Sequence, residues 1–377
     1  MPDTGTGLRL LRLTLGRFRN YAGLTWAPGA RLVAISGSNG SGKTNLLEAI
    51  SFLVPGRGLR GARIAEVAQG GVGAWAINGR FETPDGPTEI GTGTTAEAPE
   101  RRVFRLDGVA PRNQVELSAK VAAVWLTPQM DRLFQEGAGG RRRFLDRLVY
   151  ALESGHAREV AAYETAMAGR NRLLSEGRRD KAWLDGLEEA MVRHAVAVTA
   201  ARRALVAKVN ASLATGAAGD FPASRLDLLC PIADHLAEAP ALATEEWLRD
   251  RLAAARSGDA AAGSTMWGSH RADMQVRDAA TLLPASQAST GQQKAMLIGV
   301  ILGHAAVLAR ARGAAPLLLL DEPAVHLDQV RRAALFAALE ALPAQVFMTG
   351  TDADIFAPLA GRAAFWTTGG GVLLTQP

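Results

Sequence analysis

At 377 residues the chain is long enough for two domains, or for one core carrying a large insertion. Its composition, 48% apolar and 21% charged, is ordinary for a globular protein; the apolar runs fall short of a membrane span and the N-terminus lacks the charged-then-apolar layout of a secretory signal, so the expected location is the cytoplasm. The single cysteine, Cys230, excludes a disulfide framework and a cysteine-based metal site, while a net charge of +5 and a pI of 9.8 invite a polyanionic partner.

The charge is unevenly spread. Residues 116–264 hold 20 basic and 20 acidic side chains, and the whole excess, 22 against 17, lies in the flanks. Only five of the 42 basic residues are lysine, alongside abundant alanine, so arginine content by itself is weak support for a nucleic-acid partner.

Residues 8–15 alternate as a strand (Leu11, Leu13 and Leu15, with Arg12 between) and lead into Arg17-Phe18-Arg19-Asn20-Tyr21. Residues 24–26 form a second short strand, and Pro28-Gly29 turns the chain into a buried strand at 32–35. Directly after it stands Gly37-Ser38-Asn39-Gly40-Ser41-Gly42-Lys43-Thr44, the G-x-x-x-x-G-K-[ST] loop that cradles nucleotide phosphates. Residues 45–54 follow as a helix, with Leu46, Leu47, Ile50 and Leu53 at helical spacing. Strand, glycine loop and helix thus fall in the order that gives the motif its meaning. Backbone N–H groups of the loop, through Asn45, would face the phosphates at the positive end of the helix dipole. Lys43 would reach the β- and γ-phosphates, and the Thr44 hydroxyl would hold Mg²⁺. These residues predict a nucleoside-triphosphate site.

Gly56-Arg57-Gly58-Leu59-Arg60-Gly61-Ala62-Arg63 is a basic loop, either a solvated connection or a phosphate contact. Residues 72–126 read as antiparallel β: a strand at 75–81, an exposed loop at 84–100, a hairpin around Asp107-Gly108, and a closing strand at 121–126. From Pro128 to about Ala214 the period becomes helical. One helix opens with Arg141-Arg142-Arg143-Phe144-Leu145-Asp146, a second runs through Tyr163 and Met167, and a third spans 181–213. In the third, Leu184, Met191, Val198 and Leu205 recur every seven residues, which suits an amphipathic helix packed on its own domain better than a coiled-coil seam of this length. A strand at 226–230, a helix at 245–256 and a Gly/Ala/Ser linker at 257–264 complete the middle of the chain.

Two later stretches complete the site. Ser289-Thr290-Gly291-Gln292-Gln293-Lys294 caps a long apolar helix, another anion-binding terminus. The run Leu317-Leu318-Leu319-Leu320-Asp321-Glu322-Pro323 is a buried strand with acids at its carboxyl end, where ligands sit on open α/β sheets. Asp321 is placed to hold the Mg²⁺ hydration shell and Glu322 to act as general base toward the attacking water. One γ-phosphate cannot use two helix ends of one chain, so two chains facing each other, each capping the other's ATP, are expected. Asp328 is a candidate bridge across such a dimer, Thr349 or Thr351 a candidate γ-phosphate sensor, and His326 a surface residue.

This set of motifs resembles the ABC-type ATPase heads, and within them the RecF family of SMC-related repair proteins. The resemblance is carried by Phe18-Arg19-Asn20-Tyr21, the phosphate loop, Arg141 to Asp146, Gly268-Ser269-His270-Arg271-Ala272-Asp273, Ser289 to Lys294 and Asp321 to Asp328. It implies an α/β fold: an ABC-type ATPase head, a P-loop NTPase with mixed sheets and helices, made from residues 1–115 and 265–377, plus an inserted, mainly helical arm domain over 116–264. It implies catalytic roles for Glu322, Asp321 and Lys43, and nucleotide contacts from residues 37–45 together with Ser289, Gly291 and Gln292. Mg²⁺ falls to Thr44 and Asp321, with Gln129 a further candidate ligand, because the family's S-P-E-D reads Thr127-Pro128-Gln129-Met130 here. It further implies an ATP-dependent homodimer with weak ATPase activity, binding DNA at gaps or single/double-strand junctions, RecR and RecO as partners, RecA loading as outcome, and no membrane. An ATPase subunit of a membrane transporter is the alternative; the long insertion between Lys43 and Ser289, and Thr349-Gly350-Thr351 where transporter heads carry a histidine, argue against it. An SMC-like structural protein without a repair role is a third reading.

Overall fold

A computed structural model describes residues 7–71, 73–177 and 180–375. Val72, the first residue of the expected antiparallel block, lies outside them. In chain order the strands are β1 (Arg9–Phe18), β2 (Tyr21–Trp26), β3 (Leu32–Ser36), β4 (Ala76–Thr83), β5 (Gly86–Gly93), β6 (Val103–Leu106), β7 (Ala123–Leu126), β8 (Ser224–Leu229), β9 (Asp273–Asp278), β10 (Leu317–Leu320), β11 (Val346–Gly350), β12 (Ala364–Gly369) and β13 (Val372–Thr375). The α-helices are α1 (Lys43–Ser51), α2 (Gln114–Lys120), α3 (Ala138–Leu152), α4 (His156–Ser175), α5 (Lys181–Ala214), α6 (Pro231–Glu238), α7 (Ala241–Ala254), α8 (Arg256–Ala262), α9 (Thr290–Arg312) and α10 (Gln329–Ala341).

The chain divides into two compact units, one of Met1–Asp131, Ser212–Ala223 and Ser289–Pro377, the other of Arg132–Ala211 and Ser224–Ala288. The outer boundaries expected at 116 and 265 therefore fall at 131/132 and 288/289, and residues 212–223, expected within the arm, belong to the first unit. The reason is strand pairing: β7 lies parallel to β10 in the first unit, and β9 pairs antiparallel with β8 in the second.

The first unit holds two sheets. One is antiparallel, in the order β2-β1-β4-β5-β6; the other runs β13-β12-β3-β11-β10-β7 and is parallel except at β13. The near-continuous apolar runs of β3, β7, β10 and β11 follow from burial on both faces of that parallel sheet. Helix α1 sends Leu46, Leu47 and Ile50 into a core shared with Leu13, Leu15 and Phe18 of β1, each such side chain contributing about 1.5–3 kcal/mol. Phe18, Phe52 and Trp75 meet edge to face at 5.4–5.8 Å. Gln345 is 2% exposed and fastens the start of β11 to β1: its Oε1 accepts the Leu10 N–H at 2.6 Å, and its Nε2 donates to the carbonyls of Leu10 and Ala30.

Three readings of the sequence are corrected here. Residues 86–93, expected as exposed loop, form β5, paired to β4 and β6 and burying Thr88, Ile90 and Thr92. Strand β7 closes the parallel sheet rather than the antiparallel block. The apolar runs were expected to fall short of a membrane span, yet α9 at 23 residues is long and apolar enough; 78% of its most apolar stretch is buried inside the protein, as in a core helix.

The second unit packs α3 to α8 with the β8–β9 ribbon. Leu184, Met191, Val198 and Leu205 of α5 are all at most 4% exposed, and Met191 joins Leu248 and Leu252 in a buried cluster, as expected of a helix packed on its own domain. The expected linker at 257–264 is instead mostly helix α8. It folds because Asp259, 2% exposed, receives Arg170 Nη1 at 2.7 Å, while Arg170 Nε donates to Glu188 at 2.9 Å and Nη2 to the Leu252 carbonyl. Removing one partner of such a buried group leaves charge uncompensated. Arg170→Met should cost about 3–5 kcal/mol of stability, read by urea unfolding, and a loss below about 1 kcal/mol would contradict this account.

Candidate phosphate-loop and acidic-strand site

Strand β3 is buried along its whole length and ends at the glycine loop, which α1 follows at Lys43. Glycine is required at two places. At Gly37 (φ 152°) a Cβ would lie 2.7 Å from the Thr368 carbonyl oxygen, and at Gly42 (φ 110°) it would lie 2.5 Å from Asn20 Nδ2. The loop is held from outside by hydroxyls and an amide. Tyr21 OH donates to the Gly42 carbonyl at 3.1 Å, Asn20 Nδ2 to Ser41 O at 3.3 Å, and Ser41 Oγ shares a hydrogen bond of 2.5 Å with Thr368 Oγ1. Burial pushes the Tyr21 phenol up to about 12, so it remains a donor across the physiological range.

Lys43 is 5% exposed, and its ammonium donates to the carbonyls of Gly37 (2.6 Å) and Ser38 (3.0 Å). Burial lowers its pKa while the nearby carboxylates of Glu322 and Asp321 oppose the shift. Thr44 Oγ1 shares its one proton between the two oxygens of Asp321, at 3.0 and 2.9 Å. A hydroxyl and a carboxylate side by side are hard oxygen donors, and Mg²⁺ is usually bound by one or two carboxylates plus substrate phosphates. Among the described residues no group of three His, Cys, Asp or Glu offers another metal site. Gln129 sits on the turn after β7, exposed, and makes no hydrogen bond to Thr44 or Asp321 among the described residues.

Glu322 follows Asp321 in a left-handed conformation, φ 52°, although Pro323 comes next. Its peptide is held on both sides. The N–H donates to Thr349 Oγ1 at 3.0 Å, and the carbonyl accepts Lys294 Nζ at 2.9 Å. Lys294 is 2% exposed and also pairs with Asp131 at 3.1 Å. Neither Thr349 nor Lys294 was given this role from the sequence; a lysine within the Ser289 motif and a threonine at the end of β11 were the available signals.

Ser289 and Gln292 form a reciprocal capping box at the start of α9, with Ser289 exposed and Gly291 buried. A Cβ at Gly291 would lie 2.8 Å from the His326 carbonyl oxygen, so the helix start is pressed onto the loop that follows the acids. His326 is exposed, as expected, and Asp328 caps α10 and pairs with Arg331 at 2.7 Å. The structure joins Thr44, Asp321 and Glu322, through Thr349, in one hydrogen-bonded group beside Lys43. Among the described residues it shows no hydrogen bond between residues 289–292 and the phosphate loop of the same chain.

Asn45 belongs to a different network: its Nδ2 donates to Asn20 Oδ1, and its Oδ1 accepts Arg60 Nη1, both at 2.7 Å. Glu48, fully buried on α1, takes both Arg19 (2.7 Å) and Arg60 (3.2 Å). Of the basic-loop arginines Arg60 is engaged here, and at the start of α3 Arg141 is paired with Asp273 at 2.7 Å while Arg142 donates to the Ala272 carbonyl. Arg57, Arg63 and Arg143 are exposed. The motifs at 141–146 and 268–273 thus meet each other inside the second unit; Arg202 also bridges Asp146 and the Ser269 carbonyl, at 2.7 Å each.

Residues 9–359 match the model of the RecF/RecN/SMC N-terminal domain. Over 367 residues the chain is 48% identical to the DNA replication and repair protein RecF of Mesorhizobium japonicum, covering 96% of each. It is 46% identical to the protein of the same name from Agrobacterium fabrum, covering 96% of this chain and 97% of that one. Among solved structures, the recombination mediator protein RecF-ATPrS of the RecFOR pathway superposes with a TM-score of 0.84 at 22% identity, over 98% of this chain and 99% of the other, a likeness of fold. An Smc head domain with an extended coiled coil matches more loosely, with a TM-score of 0.52 at 14% identity, over 98% of this chain and 96% of the other.

Proposed function

The chain belongs to the RecF family of the RecF/RecN/SMC group, and from that premise we propose that it is an ATP-switched DNA-binding protein of recombinational repair. In this reading the first unit is an ATPase head and the second an arm. Lys43 and the loop amides bind the phosphates, while Thr44 and Asp321 would hold Mg²⁺, which would supply charge neutralisation to the triphosphate. Glu322 accepts the proton of the attacking water. Residues 289–292 of a second copy close the site, so ATP joins two chains and hydrolysis separates them.

The observation that carries this reading is the separation within one chain. The lysine, hydroxyl and acids are assembled, while among the described residues the cap of α9, with Ser289 exposed, makes no hydrogen bond to the phosphate loop. A pocket with every donor in one chain would have no use for a partner.

The DNA target we infer is a gap or single/double-strand junction, with RecR and RecO as partners, RecA loading and SOS induction as outcome, slow hydrolysis as reset, and the cytoplasm as location. Alignment with RecF over nearly the full length of both chains disfavours the transporter subunit. Sedimentation with a non-hydrolysable ATP analogue should show dimers, and gel shift on gapped DNA should require ATP and weaken steeply with salt. Single chains at every concentration would overturn the dimer; a shift indifferent to ATP would overturn the switch. Ser289→Arg should still bind ATP yet fail to dimerise, because its defect lies over the other chain's nucleotide. A variant that dimerises like wild type on the same analogue would remove the role given to the second copy.

A further inference from the structure

Thr349 ends β11 beside the acids that end β10, and it is 1% exposed. Its single hydroxyl serves both acids at once. It donates to Asp321 Oδ1 at 2.6 Å and accepts the Glu322 N–H at 3.0 Å. A hydroxyl has one proton to give, and the geometry spends it on Asp321, leaving a lone pair for the Glu322 amide. We propose that Thr349 is a positioning residue: it fixes the carboxylate that would hold Mg²⁺ and the backbone of the neighbouring general base, rather than sensing the γ-phosphate.

Three observations favour this over a phosphate contact. The hydroxyl is buried and both of its bonds go to the acidic pair. Asp321 Oδ1 receives Thr44 at 3.0 Å as well as Thr349, so two hydroxyls set the orientation of one carboxylate. Such outer partners of a metal ligand are where 10- to 100-fold effects on affinity or activity are typically found. Finally, Glu322 occupies a left-handed conformation unusual before proline, φ 52°, and its amide bond to Thr349, with the Lys294 bond to its carbonyl, holds it there. Thr351 lies beyond the end of β11 and is exposed, which leaves Thr349 as the threonine in contact with the acids.

The inference rests on the ATPase reading, and its test separates the two. Thr349→Val keeps the shape and removes the hydroxyl; Thr349→Ser keeps the hydroxyl. Binding of a fluorescent ATP analogue is titrated with and without Mg²⁺, and phosphate release is measured beside it. Thr349→Val should weaken the Mg²⁺-dependent part of binding and lower kcat, each by about 10- to 100-fold, with metal-free binding unchanged and KM moving less than kcat. Thr349→Ser should restore most of both. Wild-type Mg²⁺ dependence and kcat in Thr349→Val would overturn the positioning role, as would equal loss in the Ser and Val variants. If Thr349→Val unfolds, Thr349→Ala is read in the same two assays beside Thr349→Ser: loss in Ala but not in Ser supports the role, and equal behaviour of the two overturns it. Wild type that neither binds nor hydrolyses ATP refutes the ATPase reading itself.

Discussion

Glu322→Gln is expected to hold ATP but turn it over about 10²- to 10⁴-fold more slowly, the contribution usual for a positioned general base. The amide keeps the shape and the backbone contacts, so the Thr349 and Lys294 bonds to the Glu322 peptide should persist. What disappears is the acceptor for a proton of water. If hydrolysis separates the chains as proposed, the variant should accumulate as an ATP-bound dimer, seen by sedimentation velocity in Mg-ATP beside a phosphate-release assay. Unchanged turnover would remove Glu322 from the chemistry. A variant that stays monomeric at saturating ATP would remove the second copy from the site.

Lys43→Ala should abolish that dimer at an earlier step. The ammonium is buried and donates to two carbonyls at the mouth of the loop, a position from which it can exchange those partners for phosphate oxygens. A charge-assisted hydrogen bond contributes about 1.5–3 kcal/mol, and each 1.4 kcal/mol is about a factor of ten in affinity. ATP binding should therefore weaken by about 10- to 100-fold for each phosphate oxygen that the ammonium would have held. The carbonyls it leaves can turn to water, so the fold should survive with the apo protein's melting temperature close to wild type. Titration with a fluorescent ATP analogue measures the loss, and wild-type affinity would show that the loop does not hold triphosphate through this lysine.

The parts of this protein written in local chemistry were readable directly. Glycine, lysine and threonine at fixed spacing after an apolar run gave the phosphate loop, and four leucines before two acids gave β10. Parts set by distant neighbours were not. Residues 86–93 contain three glycines and a proline and read as loop, yet β4 and β6 make them a strand, and a Cβ at Gly93 would lie 2.3 Å from the Trp75 carbonyl oxygen. Helix α8 has a linker's composition and is folded by one buried arginine arriving from α4. Strand β7 carried its own signal, since four consecutive buried residues suit a parallel strand covered on both faces better than a hairpin partner. Within the site, the triphosphate motif named Thr44 and the acidic strand named Asp321, but that Lys294 of the Ser289 motif and Thr349 at the end of β11 would hold the Glu322 peptide depends on a meeting of distant segments that neither stretch spells out.

Strand order has a consequence for how the protein is made. Strand β3, which delivers the phosphate loop, is flanked on both sides by β11 and β12, the late segments Val346–Gly350 and Ala364–Gly369. On the ribosome its two hydrogen-bonding edges stay bare until roughly 300 more residues have emerged, about 15–60 s at the usual pace of synthesis. The nascent chain thus exposes an apolar strand through most of its own translation, and a chain released before β11 is complete has no means of building the pocket.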